Sequence, residues 1–98
     1  MRRDILVSYD VNTLSAEGRA RLRRVAKACT NFGQRVQYSV FECSVTDMSY
    51  ERLKLRLVSI IKPDEDSLRI YHLTGKREDY LEAFGLDRYM DFEDTLVV

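Results

Sequence analysis

Asp10 is the residue of this chain whose type and position most suggest chemistry. It closes the run Asp4-Ile5-Leu6-Val7-Ser8-Tyr9-Asp10, nearly continuous in apolar character, which predicts a strand central in its sheet. A carboxylate at the carboxyl end of such a strand stands where sheets containing parallel strands open their ligand crevice. One aspartate is too little for Mg²⁺, which is usually held by one or two carboxylates together with waters and phosphate oxygens. Two-fold symmetry would supply the second carboxylate without a second motif in the sequence. Mg²⁺ or Mn²⁺ shared in that way would polarise a phosphate and lower the pKa of a bound water, which is the chemistry of phosphodiester hydrolysis. The plainer alternative is that Asp10 opens a loop and caps the next turn.

A second set of residues suits phosphate. Arg19, Arg23, Arg24 and Lys27 crowd one predicted helix, and Arg35 follows it; arginine pairs bidentately with phosphate oxygens. The formal net charge of zero conceals a division. Residues 1–36 carry eight basic groups against three acids, and the remainder carries eight against thirteen. Segregation of this kind predicts a basic surface for a polyanion and an acidic surface that avoids one. The bland alternative is that these are solvated helix faces that happen to be charged.

Other candidates are weaker. Tyr9 suits stacking or bonding near a phosphate, but alternation along the strand equally allows it to be packed. His72, the only histidine, lies mid-strand with no partner at ligand spacing and reads as structural. Cys29 and Cys43 lack metal-ligand spacing and sit in apolar-patterned segments, as small core residues do. No export signal precedes them, so reduced thiols and a cytoplasmic location are expected. No apolar run approaches the roughly 18 residues of a membrane helix. A Gly-rich phosphate loop, a Ser-His-Asp arrangement and zinc spacing are all missing from the sequence.

The elements that must position these residues follow from pattern. After the first strand, Val11-Asn12-Thr13 forms a loop and Ser15 is a plausible N-cap for a helix running to about Asn31. Leu22, Val25, Ala26 and Cys29 fall at i, i+3, i+4 and i+7 and make one apolar stripe. Gly33 is expected to end this helix by taking positive φ. Gln34 to Val45 is strand-like, either one long strand or two joined by a tight bend near residues 37–39; periodicity does not decide. Thr46, Asp47 and Ser49 are N-cap candidates for a second helix with core face Tyr50, Leu53, Leu57, Ile60 and Ile61. Leu55 falls off that face, where it would meet a neighbour. Pro63 stops this helix and Asp64-Glu65-Asp66 turns the chain.

Ser67 to Thr74 is a further alternating strand, followed by a turn at Gly75-Lys76. Residues 77–90 read as a polar loop or short helix anchored by Tyr80, Leu81, Phe84 and Leu86. Thr95 to Val98 is a short apolar strand.

Strand–helix–strands–helix–strand in 98 residues predicts a single α+β domain, a ferredoxin-like βαββαβ sandwich. Right-handed crossovers put both helices on one face of the sheet. A chain this short buries only roughly 60–65% of its unfolded surface, so oligomerisation is a natural supplement. A second copy is the simplest cover for the other face. It would also give Leu96-Val97-Val98, at the end of the segment 77–98, somewhere to bury itself.

Several segments together resemble the CRISPR-associated protein two family. They are the first strand Ile5-Leu6-Val7-Ser8-Tyr9-Asp10, the arginine-rich helix closed by Gly33, and the run Arg35-Val36-Gln37-Tyr38-Ser39-Val40-Phe41-Glu42. The strand from Asp66 to Leu73, similar to the family's D-x-x-R-I-Y-x-L, completes the pattern. The Val-Gln-x-Ser-Val-Phe-Glu portion is the most specific, and the resemblance spans nearly the whole chain.

The resemblance implies a ferredoxin-like homodimer in which the last strand pairs with the partner's sheet and Asp10 of each copy lies near the dimer axis. It further implies a metal-dependent endonuclease of RNA or double-stranded DNA, and a DNA-holding subunit that works with an integrase subunit in spacer acquisition. Ser39, bonding backbone, and Phe41, packed at the dimer interface or under the substrate, match its motif as supporting residues.

Three function classes stay open on the sequence. One is the spacer-acquisition subunit with Asp10 as catalytic residue and metal ligand. Another is a toxin-like ribonuclease resembling virulence-associated protein D. The third is a non-catalytic ferredoxin-like regulatory domain, against which the basic first helix argues.

Overall fold

A computed structural model describes residues 2–90 of the chain. Its sheet is built on β1 (Arg3–Asp10), flanked by β3 (Val40–Val45) and β4 (Ser67–Leu73), with β2 (Gly33–Gln37) outside β3 in the order β2-β3-β1-β4. Strand alternation sends Ile5, Val7 and Tyr9 into the core and turns Asp4, Leu6, Ser8 and Asp10 to the opposite face. Every neighbouring pair is antiparallel. The crevice expected of a parallel-containing sheet therefore does not apply, because β3 lies between β1 and β2, which run the same way, and β1 lies between β3 and β4, which also do.

Both helices cover the face of Ile5, Val7 and Tyr9, as the right-handed crossover requires. Helix α1 (Ala16–Thr30) starts where Ser15 Oγ accepts the Gly18 N–H at 3.0 Å. It buries Val25, Ala28 and Cys29, with Leu22 and Ala26 partly covered. Helix α2 (Asp47–Ile60) opens on a reciprocal cap: the Ser49 N–H donates to Thr46 Oγ1 at 3.1 Å and the Thr46 N–H to Ser49 Oγ at 2.8 Å. Leu53, Leu57 and Ile60 face the core, Tyr50 and Ile61 border it, and Leu55 points to solvent. Each fully buried aliphatic side chain contributes about 1.5–3 kcal/mol of hydrophobic stabilisation.

Residues 34–45 resolve into two strands joined at Tyr38-Ser39, with a register slip between Arg35 and Gln37. The expectation for Gly33 is corrected. It does not take positive φ, and α1 ends on Asn31 in ordinary right-handed geometry. Gly33 instead opens β2 where a Cβ would stand 2.2 Å from the Glu42 carbonyl oxygen and 2.6 Å from Cys43 Cα. Close approach of the backbones, not turn geometry, excludes a side chain there. Gly75, at φ 81°, does occupy a turn that needs the left-handed region.

Beyond β4, residues Arg77–Tyr80 form a single helical turn, α3, and the chain then runs without regular structure to Met90. This segment crosses one end of the sheet's second face. Arg77 pairs with Glu42 of β3, and the Met90 backbone exchanges two hydrogen bonds with the Gln34 side chain of β2, at 2.7 and 2.8 Å. Phe84 and Leu86, expected as anchors, are 85% and 97% exposed. The fastening is polar and aromatic instead. The described residues of this segment thus cover part of the second face, over Asp4, Gln34 and Glu42, and leave the end bearing Ser8, Asp10 and Arg69 open. The strand expected at Thr95–Val98 lies outside the described residues.

Candidate functional site

Asp10 is exposed at the carboxyl end of β1, on the open face of the sheet. Its backbone pairs with Ser67 of β4. The loop that follows is held by other residues: Asn12 Oδ1 accepts the Leu14 N–H at 2.9 Å, Ser15 caps α1, and Asp66 Oδ1 accepts the Asn12 N–H at 3.0 Å. Asp10 does none of this capping. Among the described residues its carboxylate has no hydrogen-bond or ion-pair partner, and it faces solvent.

Asp66 explains how the neighbourhood is fixed. Its side chain is fully buried and receives Arg21 Nε at 2.8 Å, Arg21 Nη2 at 3.2 Å, the Lys62 N–H at 2.8 Å and the Asn12 N–H at 3.0 Å. The Arg21 guanidinium, aided by the two backbone donors and opposed by burial, holds this carboxyl down at about 2. One carboxylate thereby ties α1, the end of α2 and the loop after Asp10 to the start of β4. The sequence marks Asp66 only as a turn and motif residue, and Arg21 only as part of a basic helix. The two lie 45 positions apart, and no local pattern reveals such a pair.

The basic residues do not gather at Asp10. Arg23, Arg24 and Lys27 are exposed on the outward side of α1, which packs on the other face of the sheet. Arg19 folds back on its own loop, with Nη1 donating to the Thr13 carbonyl at 3.2 Å. Arg35 lies over the Phe41 ring, 5.3 Å from its centroid, on the helix-side face of the edge strand.

The supporting residues pack or bond within this protomer, and Tyr9 also lines a hollow that Asp10 lines. Tyr9 is 4% exposed, stacked on Phe41 at 6.3 Å, with its backbone N–H donating to the Ser39 carbonyl at 3.1 Å. Burial pushes the Tyr9 hydroxyl up, against the pull of Arg35. Phe41, expected at an interface or under substrate, is 1% exposed in the core; alternation along β3 sets it beside Val7 on the helix side. Cys29 and Cys43 are buried, their thiols pushed up to about 12 and about 11 by desolvation, and so chemically quiet.

Asp10 lines two hollows, one with Asn12, Leu14 and the turn Pro63-Asp64-Glu65, the other with residues of β4. Ser8, Asp10, Ser67, Arg69 and Tyr71 line a hollow of about 260 Å³ on the open face. The period-two alternation of Ser67, Arg69 and Tyr71 carries this signal, but it becomes readable only once β4 is known to lie against β1. Among the described residues no three His, Cys, Asp or Glu side chains converge, so one copy offers a divalent ion a single free carboxylate here. That donor set fits Mg²⁺ or Mn²⁺ when another copy and a phosphate complete it.

Comparison with known proteins decides the family. Residues 3–80 match the family model of CRISPR associated protein Cas2. The chain belongs to the Cas2 family. Relatives span nearly its whole length: a CRISPR-associated endoribonuclease Cas2 of Moorella thermoacetica is 48% identical, over 96% of this chain and 98% of that protein. A CRISPR-associated endonuclease Cas2 of Halalkalibacterium halodurans is 50% identical, over 95% and 97%. The crystal structure of Streptococcus pyogenes Cas2 at pH 6.5 superposes with a TM-score of 0.74 at 52% identity, covering 84% of this chain and 99% of that one. In this Cas2-family chain the ferredoxin-like fold is thus supported from sequence and from structure alike. The motif beginning at Asp66 acquires a physical meaning, with its aspartate locking the site's floor and its arginine and tyrosine on the same sheet face as Asp10.

Proposed function

We propose that this CRISPR-associated nuclease acts as a homodimer that hydrolyses phosphodiester bonds of RNA or duplex DNA, with Asp10 of both copies on one Mg²⁺ or Mn²⁺. In the same reading it serves spacer acquisition as a nucleic-acid-holding subunit beside an integrase subunit. The observation that carries the reading is the unpartnered Asp10 carboxylate, spared from turn capping by Asn12, Ser15 and Asp66. A carboxylate that has no hydrogen-bond or ion-pair partner among the described residues is suited to a ligand that brings positive charge.

A bound divalent ion would supply phosphate polarisation and a water of lowered pKa. The chain's own part is positional. Antiparallel pairing of β1 with β4 fixes the Asp10 backbone, and the Asp66 cluster prevents the following loop from swinging over it. The uncovered end of the sheet, with Ser8, Asp10 and Arg69, is the surface on which a second copy would bring its own Asp10 near the axis.

Arg23, Arg24 and Lys27 lie on the opposite side of the protomer, so in such a dimer they form outer basic surfaces. A duplex lying along them would stay clear of Asp10 in the same copy. Holding nucleic acid and cutting it are therefore separable in this reading.

The test is cleavage of labelled RNA and duplex DNA across a Mg²⁺ and Mn²⁺ series, wild type against Asp10→Asn, with dimerisation followed by analytical ultracentrifugation. Loss of cleavage by a folded, dimeric Asp10→Asn protein is expected. Equal metal-dependent cleavage by the two proteins would remove Asp10 from the site. Spacer integration that continues with Asp10→Asn would make the protein a scaffold in that process.

A further inference from the structure

Arg69 stands out among the cations of the open face. It opposes Ser8 across the β1–β4 pair, while Asp10 opposes Ser67, so Arg69 and Asp10 are diagonal neighbours on one face. Such neighbours stand about 7–8 Å apart. They line the same hollow, yet the arginine does not pair with the aspartate. Its Nη1 donates instead to Tyr71 Oη at 3.0 Å, two residues along the same strand face. No carboxylate pairs with Arg69 among the described residues, in contrast to Arg21, bound to Asp66, and Arg77, bound to Glu42.

An unpaired carboxylate and a guanidinium without a counter-ion that share one small hollow, and do not close on each other, suit a ligand that satisfies both. A phosphodiester carrying a divalent ion does so: the ion meets the carboxylate and the phosphate oxygens meet the fork of the guanidinium. Arg23, Arg24 and Lys27 cannot play this part, because the sheet separates them from Asp10.

We propose that Arg69 binds the phosphate of the nucleic acid at the Asp10 site, and that Tyr71 is the positioning residue that holds its guanidinium in place. The inference rests on the nuclease reading of Asp10 given above. The hydroxyl accepts one guanidinium N–H and leaves the remaining donors for the phosphate. Charge that builds on the phosphate oxygens as the bond breaks is then met by a fixed cation with little rearrangement.

Arg69→Ala and Arg69→Lys are compared with the wild-type dimer in cleavage of labelled RNA and duplex DNA, with Asp10→Asn measured beside them. Arg69→Ala is expected to lower kcat/KM about 10²-fold, the usual effect of removing one group that stabilises developing charge. Arg69→Lys should recover part of the loss, and added methylguanidinium should restore activity to Arg69→Ala in a saturable way. Tyr71→Phe should fall by less, on the order of 10-fold, without rescue.

A second readout needs no catalysis. In an Asp10→Asn background, Arg69→Ala should lower the magnitude of the log–log salt slope of oligonucleotide binding by about 0.9. Full activity and an unchanged salt slope in Arg69→Ala, with Asp10→Asn inactive, would overturn the inference and leave the nuclease reading standing. Equal loss in the alanine and lysine variants, with no rescue and no change of salt slope, would overturn it as well. Wild-type cleavage by Asp10→Asn would overturn the underlying reading.

Discussion

Arg21 holds Asp66 at two points, Nε to Oδ2 at 2.8 Å and Nη2 to Oδ1 at 3.2 Å, and thereby fastens the middle of α1 to the start of β4. Both partners are shielded, with 12% of the arginine side chain and none of the aspartate exposed. Breaking such a pair from one side strands the other charge in a poor solvent. Asp66→Ala should therefore lower the stability of the fold by about 1–2 kcal/mol, between the worth of an exposed pair and the cost of breaking a buried one. A urea midpoint compared at one fixed protein concentration measures it, since assembly would otherwise shift the value. A loss under about 1 kcal/mol would mean that solvent reaches the pair freely.

The same carboxylate gives a pH dependence of definite sign. Asp66 falls from 3.8 to about 2 on folding, so between those values the unfolded chain binds more protons than the folded one. Its stabilisation is fully present above the unfolded value of 3.8 and is lost as pH falls through about 2. Wild type should lose stability over that window, and Asp66→Asn, already destabilised, should lose less. Parallel acid-denaturation curves for the two proteins would contradict this.

Gly33 gives a sharper steric prediction. A methyl group at this position would stand 2.2 Å from the Glu42 carbonyl oxygen, a backbone atom held in the β2–β3 ladder. The two strands must part to admit it. Gly33→Ala should cost about 1–3 kcal/mol, read as a lowered thermal midpoint. Gly85→Ala is a useful contrast, for nothing described lies within 4 Å of where a Cβ would stand and only its φ of 79° opposes a side chain. Equal midpoints for wild type and Gly33→Ala would show that β2 is not held closely there.

How much of the fold and site is legible in the sequence depends on how far each signal travels along the chain. The stripes Leu22-Val25-Ala26-Cys29 and Leu53-Leu57-Ile60 are local and place both helices. The bend at Tyr38-Ser39 is not legible, because no residue in it takes positive φ and so no Gly or Asn marks it. Phe84 and Leu86 read as anchors by residue type alone, whereas Arg77 and Gln34, which no apolar pattern selects, fasten the segment. Asp10 is legible as a strand-end carboxylate. Its freedom is not, because that rests on Asp66 taking over Asn12 from 54 positions away. The separation of Asp10 from Arg23, Arg24 and Lys27 becomes visible only with the pairing of strands.

The outward face of α1 should act through phosphates without regard to sequence. Changing Arg23 and Arg24 together to alanine should reduce the magnitude of the log–log salt slope of duplex binding by about 0.9 for each phosphate no longer neutralised. Cleavage at Asp10 should change little at low salt, because the two surfaces are on opposite sides of the sheet. An unchanged slope would reassign this face to plain solvation.

Residues 77–90 offer the last prediction. Arg77 donates to both Glu42 carboxylate oxygens, at 2.8 and 3.0 Å, reaches Asp87 at 3.6 Å, and lies 3.5 Å from the centre of the Tyr89 ring. One side chain thus joins β3 to the far end of the segment. Beneath it is a space of about 340 Å³ lined by Leu73, Cys43, Tyr80 and Tyr89 among others. Few apolar side chains hold the segment, since Phe84 and Leu86 face solvent, so its attachment rests largely on this arginine.

Bidentate charge-assisted bonds and an aromatic contact together are worth about 2 kcal/mol at such a partly shielded place. Arg77→Ala should release residues 81–90 while the sheet and both long helices persist. Amide hydrogen exchange resolves the two: faster exchange at Leu81 and Met90, with β1 and α2 unchanged, is the expected pattern. Arg77→Lys should restore little, because a single ammonium cannot bridge both Glu42 oxygens and lie flat on Tyr89. Uniformly faster exchange across β1 and α2 would instead mean that the pair supports the whole fold, and unchanged exchange at Met90 would mean that the Gln34 amide alone secures the segment.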